Sequence, residues 1–329
     1  MKRLNLPDDK WIVVTGAAGF VGSALIRYLN DCGFTSIIAV DDLGEGEKWR
    51  NLVGKEFAEL LPIAGLPDWL DGRETEIQAF LHMGAISSTV ETDADRLLDI
   101  NTRYTQLLAT YALEHGIRFI YASSAATYGD GSQGFSDDHE KLKSLRPLNM
   151  YGYSKHLFDL WAKKEGALDT IVGLKFFNLF GPNEHHKGRM SSVIPHFVDQ
   201  IEEKGEVRLF KSSDPKRYAD GEQERDFLYI KDAVGMACSF LQSEAAGLYN
   251  IGSGKATTFK ALAHAVFNAL GKPEKIKYIP MPEDLVGKYQ NHTCADMRKF
   301  SRHLPDWVAT PIGDAVADYV HHLKQSQTW

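Results

Sequence analysis

The chain has little cysteine and no segment built to enter a membrane. Cys32, Cys238 and Cys294 are an odd, scattered set of three in 329 residues. They exclude a disulfide framework, lack zinc-ligand spacing, and read as reduced side chains of a cytoplasmic protein. No apolar run approaches the ~20 residues of a membrane span. Met1 to Lys10 lack the apolar core of a secretory signal. Positive charge is also short: 37 Lys and Arg stand against 44 Asp and Glu, for a net charge of −7. That balance argues against nucleic acid as the main partner. Internal repeats and low-complexity linkers are missing too. The length suits one large or two smaller domains.

What is there begins at Trp11-Ile12-Val13-Val14-Thr15, an apolar, β-branched run that reads as a buried parallel strand. Gly16, Gly19 and Gly22 follow in GxxGxxG spacing, and Ala24 to Leu29 continue as an apolar helix. Gly16 permits a tight turn, Gly19 lets backbone approach a pyrophosphate, and Gly22 lets the helix pack close to the sheet. A second strand, Ser36 to Val40, ends in Asp41-Asp42. A carboxylate about twenty residues past the glycines is placed to bond the adenosine ribose.

Ala79 to Met83, Ile117 to Ala122 and Ile171 to Phe176 read as further strands, with helices over Asp93 to His115 and from Asn149 onward. This alternation predicts an α/β fold with a Rossmann-like, doubly wound parallel sheet. Ligands of such sheets bind beyond the carboxyl ends of the strands. Gly16, Asp41, Gly84-Ala85, Ser124 and Asn178 all fall there. After Phe180 the pattern turns irregular. Gly181 to Arg189 reads as a polar loop, Ser191 to Glu203 as a helix, Val207 to Phe210 as a strand and Asp214 to Glu224 as a charged surface loop. Residues 1–180 are expected to be mainly a dinucleotide-binding domain, joined by elements around 226–252. Residues 181–329 are expected to be mainly a smaller, mixed α/β substrate-binding lobe.

Tyr151-Gly152-Tyr153-Ser154-Lys155 carries the chemistry. If Asn149 caps a helix, Tyr151 and Lys155 share a face of its first turns. The ammonium, the positive helix end and an oxidised nicotinamide could then together favour the phenolate. A tyrosine working near pH 7 needs its pKa lowered by roughly three units, or ~4 kcal/mol. So tuned, it is a general base for a sugar or alcohol hydroxyl.

The glycine motif, Ser124, Tyr151-x-x-x-Lys155 and Arg225-Asp226-Phe227 together resemble the extended short-chain dehydrogenase/reductase family of NAD-dependent epimerases and dehydratases. The resemblance covers nearly the whole chain. It implies that Ser124 hydrogen-bonds the reacting hydroxyl, Tyr151 moves the proton, and Lys155 holds the nicotinamide ribose. It further implies a cofactor site of Gly16, Gly19, Phe20, Val21, Gly22, Asp41, Asp42, Lys48, Lys55, Met83, Gly84, Ala85, Ser87, Asn101, Tyr151, Lys155, Leu179 and Lys187. Implied substrate contacts are Ser124, Asn178, Arg189, His196, Phe210, Arg225 and Tyr289. Arg225 suits a diphosphate, because a guanidinium binds phosphate oxygens as a fork.

Longer strings narrow the resemblance. Tyr121 to Gly129, Pro147 to Lys155 and Phe177 to Val193 are similar to those members that invert the exocyclic C6 of an ADP-linked heptose for lipopolysaccharide inner-core synthesis. His186-Lys187-Gly188-Arg189-Met190 is the most specific part, and Val286 to Gln290 adds to it. The implied reaction removes and returns a hydride through a 6-keto sugar, with Lys187 as a second proton-handling group. The residues alone leave two roles open for Lys187: a base, or a charged grip on a diphosphate. A hexose 4-epimerase shares Ser123-Ser124-Ala125-Ala126; a dehydratase would carry an acidic residue where Ala125-Ala126 stand; a non-catalytic sensor would lose Tyr151 or Lys155. Asp41 favours the free diol of NAD. The resemblance implies NADP instead, with Lys48 offsetting the charge, although Asp42 and Gly44 stand where asparagine and lysine are usual. NADP is therefore the expected cofactor and NAD the alternative. No metal is expected; Glu184, His185 and His186 read as loop residues near the substrate. The resemblance also implies a homo-oligomer, a pentamer.

Overall fold

The computed structural model describes residue 4, residues 6–282 and residues 290–329, so Tyr289 and the string 286–289 lie outside the described residues. Twelve strands are described: β1 (Trp11–Thr15), β2 (Ile37–Val40), β3 (Glu59–Leu61), β4 (Ile77–His82), β5 (Arg118–Ser124), β6 (Val172–Phe176), β7 (Asn178–Phe180), β8 (Val207–Phe210), β9 (Glu224–Tyr229), β10 (Gly247–Ile251), β11 (Ala256–Thr258) and β12 (Ile276–Ile279). Seven of them form one sheet in the order β10-β6-β5-β4-β1-β2-β3, and every pairing in it is parallel.

Among the described residues, ten α-helices accompany them: α1 (Phe20–Asp31), α2 (Leu66–Leu70), α3 (Ala94–Leu98), α4 (Tyr104–Glu114), α5 (Met150–Lys164), α6 (Val193–Lys204), α7 (Ile230–Cys238), α8 (Phe259–Leu270), α9 (Arg298–His303) and α10 (Ile312–Lys324). Both faces of the sheet are covered, which is why its strands are mostly apolar and buried. Successive side chains of a strand point to opposite faces. Accordingly, Ile12 and Val14 join one core with α1 and α7, while Val13 joins a second with Phe80, Tyr121 and α5.

The strand order reverses beside β1, which has β2 on one side and β4 on the other. Crevices at such reversals receive ligands. Gly16 turns there with φ +66°, and a Cβ on it would come within 2.8 Å of the Gly84 Cα. The loops after β1 and β4 thus meet edge to edge.

Two differences from the sequence reading matter for the site. The helix expected over Asp93 to His115 is interrupted by a π-helical turn, Asp99–Arg103. The stretch from Asp214 to Glu224 is not all surface loop. Its end turns inward: Gln223 is buried, and a Cβ on Gly221 would press on Leu209 and Tyr278. Beyond the main sheet, β7 pairs with β9, which also pairs antiparallel with β11, and β8 pairs with β12. Among the described residues, no helix is long and apolar enough to cross a membrane.

Candidate active site

A cleft of about 950 Å³ lies over the strand ends, lined from Gly16 and Asp41 at one end to Phe210 and Arg225 at the other. The α1 end of it is shaped for an anion. Gly19 caps the helix without a side chain, and the first turn carries no acidic residue. The free N–H groups and the positive helix end therefore face the cleft uncompensated. A Cβ at Gly22 would collide with the Gly16 carbonyl, so the turn and the helix require glycine at both places. Asp41 lies just past β2. One of its oxygens accepts from the Ala18 N–H at 2.9 Å, and the other pairs with Lys48 Nζ at 2.7 Å. Asp42 accepts from the Ile63 N–H at 3.0 Å. These groups fit the pyrophosphate and ribose of a dinucleotide.

Helix α5 starts as the sequence predicts. The Asn149 side chain accepts from the Gly152 N–H at 2.8 Å, an N-cap that satisfies an otherwise orphaned donor. Gly152 then packs against Ala126, where a Cβ would sit 2.8 Å from the carbonyl oxygen. That contact brings Tyr151 beside Ser124, which caps its own short turn by accepting from the Ala126 N–H at 3.1 Å. Below this surface Lys175 Nζ meets Asp159 Oδ2 at 2.7 Å, with both side chains fully buried. Asp159 also accepts from the Tyr121 hydroxyl at 2.9 Å and the Ser123 hydroxyl at 2.8 Å. One carboxylate thereby ties together β5, β6 and α5.

The electrostatics differ from the sequence reading. Burial raises the Tyr151 phenol above its ordinary value, and a hydrogen bond with Ser124 works against that rise. Burial also lowers the Lys155 ammonium to about 8, partly opposed by Asp159. A cation so desolvated is a weaker support for a phenolate than an ordinary lysine. The protein residues alone do not pull Tyr151 down.

Lys187 sits on the short turn His185–Met190 and also lines the cleft. Its ammonium stands 5.2 Å from the centroid of the Phe20 ring. Burial lowers its pKa, and the nearby Glu184 raises it. His186 is pushed down to about 4 by burial and by neighbouring cations, and is neutral near pH 7.

Most of the residues named from the sequence line the cleft, including Phe20, Val21, Met83, Gly84, Ala85, Ser87, Asn178, Leu179 and His196. Three do not. Lys55 turns away, its Nζ donating to the Trp329 main-chain oxygen at 2.5 Å. Asn101 stands one layer behind, bonded both ways to the Ile86 backbone and donating to Ser154 Oγ at 3.0 Å. It thus holds the loop that carries Ser87, and the π-helical turn is what aims it there. Arg189 is exposed and outside the cleft. Conversely, Gln200, Arg208, Gln223 and Phe259 line the cleft without having been read from the sequence. They come from four separate segments and form no motif. Arg225 is buried, with its guanidinium 5.7 Å from the Phe259 ring centroid. Its Nη1 donates to the Glu224 main-chain oxygen at 2.8 Å. Among the described residues, no group of three His, Cys, Asp or Glu side chains is placed to hold a metal.

A turn fit for phosphate, a carboxylate fit for ribose and a Ser-Tyr-Lys set share one crevice, the site of a nicotinamide-dependent epimerase. The chain belongs to the NAD dependent epimerase/dehydratase family, whose model matches residues 12–252. It is 49% identical over 311 residues to the ADP-L-glycero-D-manno-heptose-6-epimerase of Nitratidesulfovibrio vulgaris, covering 94% of this chain and 96% of that one. The enzyme of the same name from Fusobacterium nucleatum is 44% identical over 323 residues, covering 94% and 97%. The crystal structure of the Helicobacter pylori ADP-L-glycero-D-manno-heptose-6-epimerase superposes with a TM-score of 0.82 at 25% identity, covering 98% and 99%.

Proposed function

We propose that this protein inverts C6 of ADP-D-glycero-D-manno-heptose, giving the L-glycero epimer for lipopolysaccharide inner-core synthesis. The observation that supports the reading is that two separately held sets of proton-handling groups line one dinucleotide cleft: Ser124, Tyr151 and Lys155 from β5 and α5, and Lys187 from the His185–Met190 turn. Inverting an exocyclic carbinol presents its oxygen in two directions. Two groups held by separate segments suit that demand better than one.

The groups to hold the cofactor are the Gly16–Gly22 turn for its diphosphate, Asp41 and Lys48 for its adenosine ribose, and Lys155 for its nicotinamide ribose. When bound, the nicotinamide supplies a reversible hydride acceptor, the chemistry that inversion through a ketone requires. Tyr151 takes the proton from the substrate hydroxyl in one orientation and returns it. Ser124 holds that oxygen by hydrogen bond. Lys187, lowered by burial, handles the proton when the oxygen faces the other wall. Arg225 and Asn178 orient the diphosphate and sugar.

The cofactor we assign is NADP. Lys48 neutralises Asp41 at 2.7 Å, which removes much of the repulsion that a 2′-phosphate would meet there. Much of the substrate wall comes from residues 181–329. The enzyme works in the cytoplasm as a homo-oligomer.

The test is turnover of purified protein with ADP-D-glycero-D-manno-heptose, followed by proton NMR without added cofactor. Conversion to the L-glycero epimer supports the assignment and reports a retained cofactor. No conversion with NADP or NAD supplied, together with turnover of a UDP-hexose, would move it to a hexose 4-epimerase.

A further inference from the structure

Lys187 lies between β7 and α6, on no regular element longer than a single turn. Two consecutive buried residues just before it, Asn183 and Glu184, explain how it is held. Asn183 has φ +78°, one of two non-glycine residues in that region among the described residues. Such a conformation persists where surroundings over-determine it. Here its Oδ1 accepts from the Trp329 N–H at 2.7 Å, and its Nδ2 donates to the Trp329 oxygen at 3.0 Å. The same Nδ2 reaches Ser23 Oγ of α1 at 3.1 Å. Its own carbonyl accepts from Asn51 at 3.0 Å.

Glu184 closes the loop from inside. Its carboxylate accepts from the Ser192 N–H at 2.6 Å and the Ser192 hydroxyl at 2.7 Å, joining the start of the loop to the start of α6. Tyr319 of α10 donates to the same carboxylate. Trp329 is in turn fixed by Lys55, whose Nζ donates to its oxygen at 2.5 Å, and by Lys231, 5.3 Å from its ring centroid.

We infer that the segment from α10 to Trp329 is a latch that positions Lys187, with Asn183, Glu184, Tyr319 and Trp329 as positioning residues and Lys55 as the anchor of the latch. The contacts from Tyr319 and Trp329 run to the two residues that precede the His185–Met190 turn. None of these four residues lines the cleft. The catalytic meaning of the latch rests on the proton-handling role proposed for Lys187; its structural meaning does not.

Two variants test it: the chain ended at Thr328, and Asn183→Gly, which accepts a positive φ without strain but removes the amide. The direct readout is the rate of Lys187 acylation by a pulse of acetic anhydride, measured by mass spectrometry with Lys155 as internal control. The expected result is a rise of about tenfold at Lys187 in at least one variant, with Lys155 unchanged, because local opening is confined to the loop. The matching kinetic result is a fall in kcat of about ten- to a hundredfold with KM near normal, the effect of a displaced catalytic group. Unchanged Lys187 labelling in both variants, or an equal rise at Lys155, overturns the latch. Normal turnover by Lys187→Met would instead remove the proton role of Lys187, while the labelling still decides the latch.

Discussion

The two walls of the cleft are built differently. Ser124, Tyr151 and Lys155 stand on β5 and α5, near neighbours in a regular βα arrangement, over a buried carboxylate that ties β5, β6 and α5 together. Lys187 stands on a turn whose shape is set by contacts with residues up to 146 positions away. The first wall holds its groups through secondary structure. The second has only the local hydrogen bonds of a short turn, such as Lys187 N–H to the Glu184 carbonyl at 2.9 Å, and adds contacts from distant parts of the chain. On the proposed reading, one proton-handling group stands on a rigid frame and the other on a turn that the C-terminal segment supports.

The largest expected effect is on the rigid wall. Tyr151→Phe removes the proton-moving hydroxyl and keeps the ring, so turnover should fall by about 10²–10⁴-fold. Cofactor retained by the purified variant, measured by absorbance after denaturation, should stay unchanged. Near-normal turnover would assign the chemistry to the other wall. Lys187→Met is the counterpart, with a loss of similar kind confined to turnover. A change in substrate affinity with kcat preserved would make Lys187 a diphosphate grip.

Lys175→Met probes the foundation of the rigid wall. It leaves Asp159 buried without its cation, and breaking a buried pair in this way costs about 3–5 kcal/mol. Urea unfolding should show the loss in the midpoint. No comparable loss is expected from ending the chain at Thr328, so equal destabilisation by the two changes would erase the distinction between the walls.

A smaller effect concerns protonation. Lys155 is lowered to about 8 by burial, so it carries its proton below that pH and loses it as pH rises through it. Cofactor binding that uses the ammonium should weaken over the same interval. Asp159→Asn withdraws an attraction that favours the charged form, so the weakening should move to lower pH. Titrating cofactor fluorescence from pH 6 to 9 would check this, and a binding curve flat across that range would remove Lys155 from the cofactor site.

The same contrast governs how much could be read without coordinates. β1, the glycine turn and Asp41 are local in sequence and follow from periodicity and spacing. Helix α5 announces itself through the Asn149 cap, and the four-residue separation of Tyr151 and Lys155 puts them together on any helix. The parallel sheet follows from the alternation of strands and helices. The loop wall offers no such signal. Lys187 entered through resemblance. Asn183 and Trp329 share no pattern, so their pairing could not be seen in advance. Lys55 and Asn101 were placed in the cofactor site because one-dimensional position says nothing about which layer a side chain occupies. The share of the tuning that the protein's own residues give Tyr151 also depends on environment. Spacing brings a lysine near, but it does not report the desolvation that both groups undergo.

The smallest expected effect sits at the far end of the rigid wall. Asp42 uses one carboxylate oxygen to accept from the Ile63 N–H at 3.0 Å. Asn in its place keeps that acceptor and removes the charge. Asp41 is already paired with Lys48 at 2.7 Å, so Asp42 is the negative charge that Lys48 does not offset through a side-chain ion pair. Asp42→Asn should therefore raise affinity for NADP relative to NAD by a few-fold, ~1 kcal/mol, as expected for one partly solvated charge. The ratio of the two dissociation constants, measured at low and high salt, is the readout. A shift that shrinks with salt is electrostatic, as argued. A ratio unmoved at either salt concentration would leave the choice of cofactor to Asp41 and Lys48 alone.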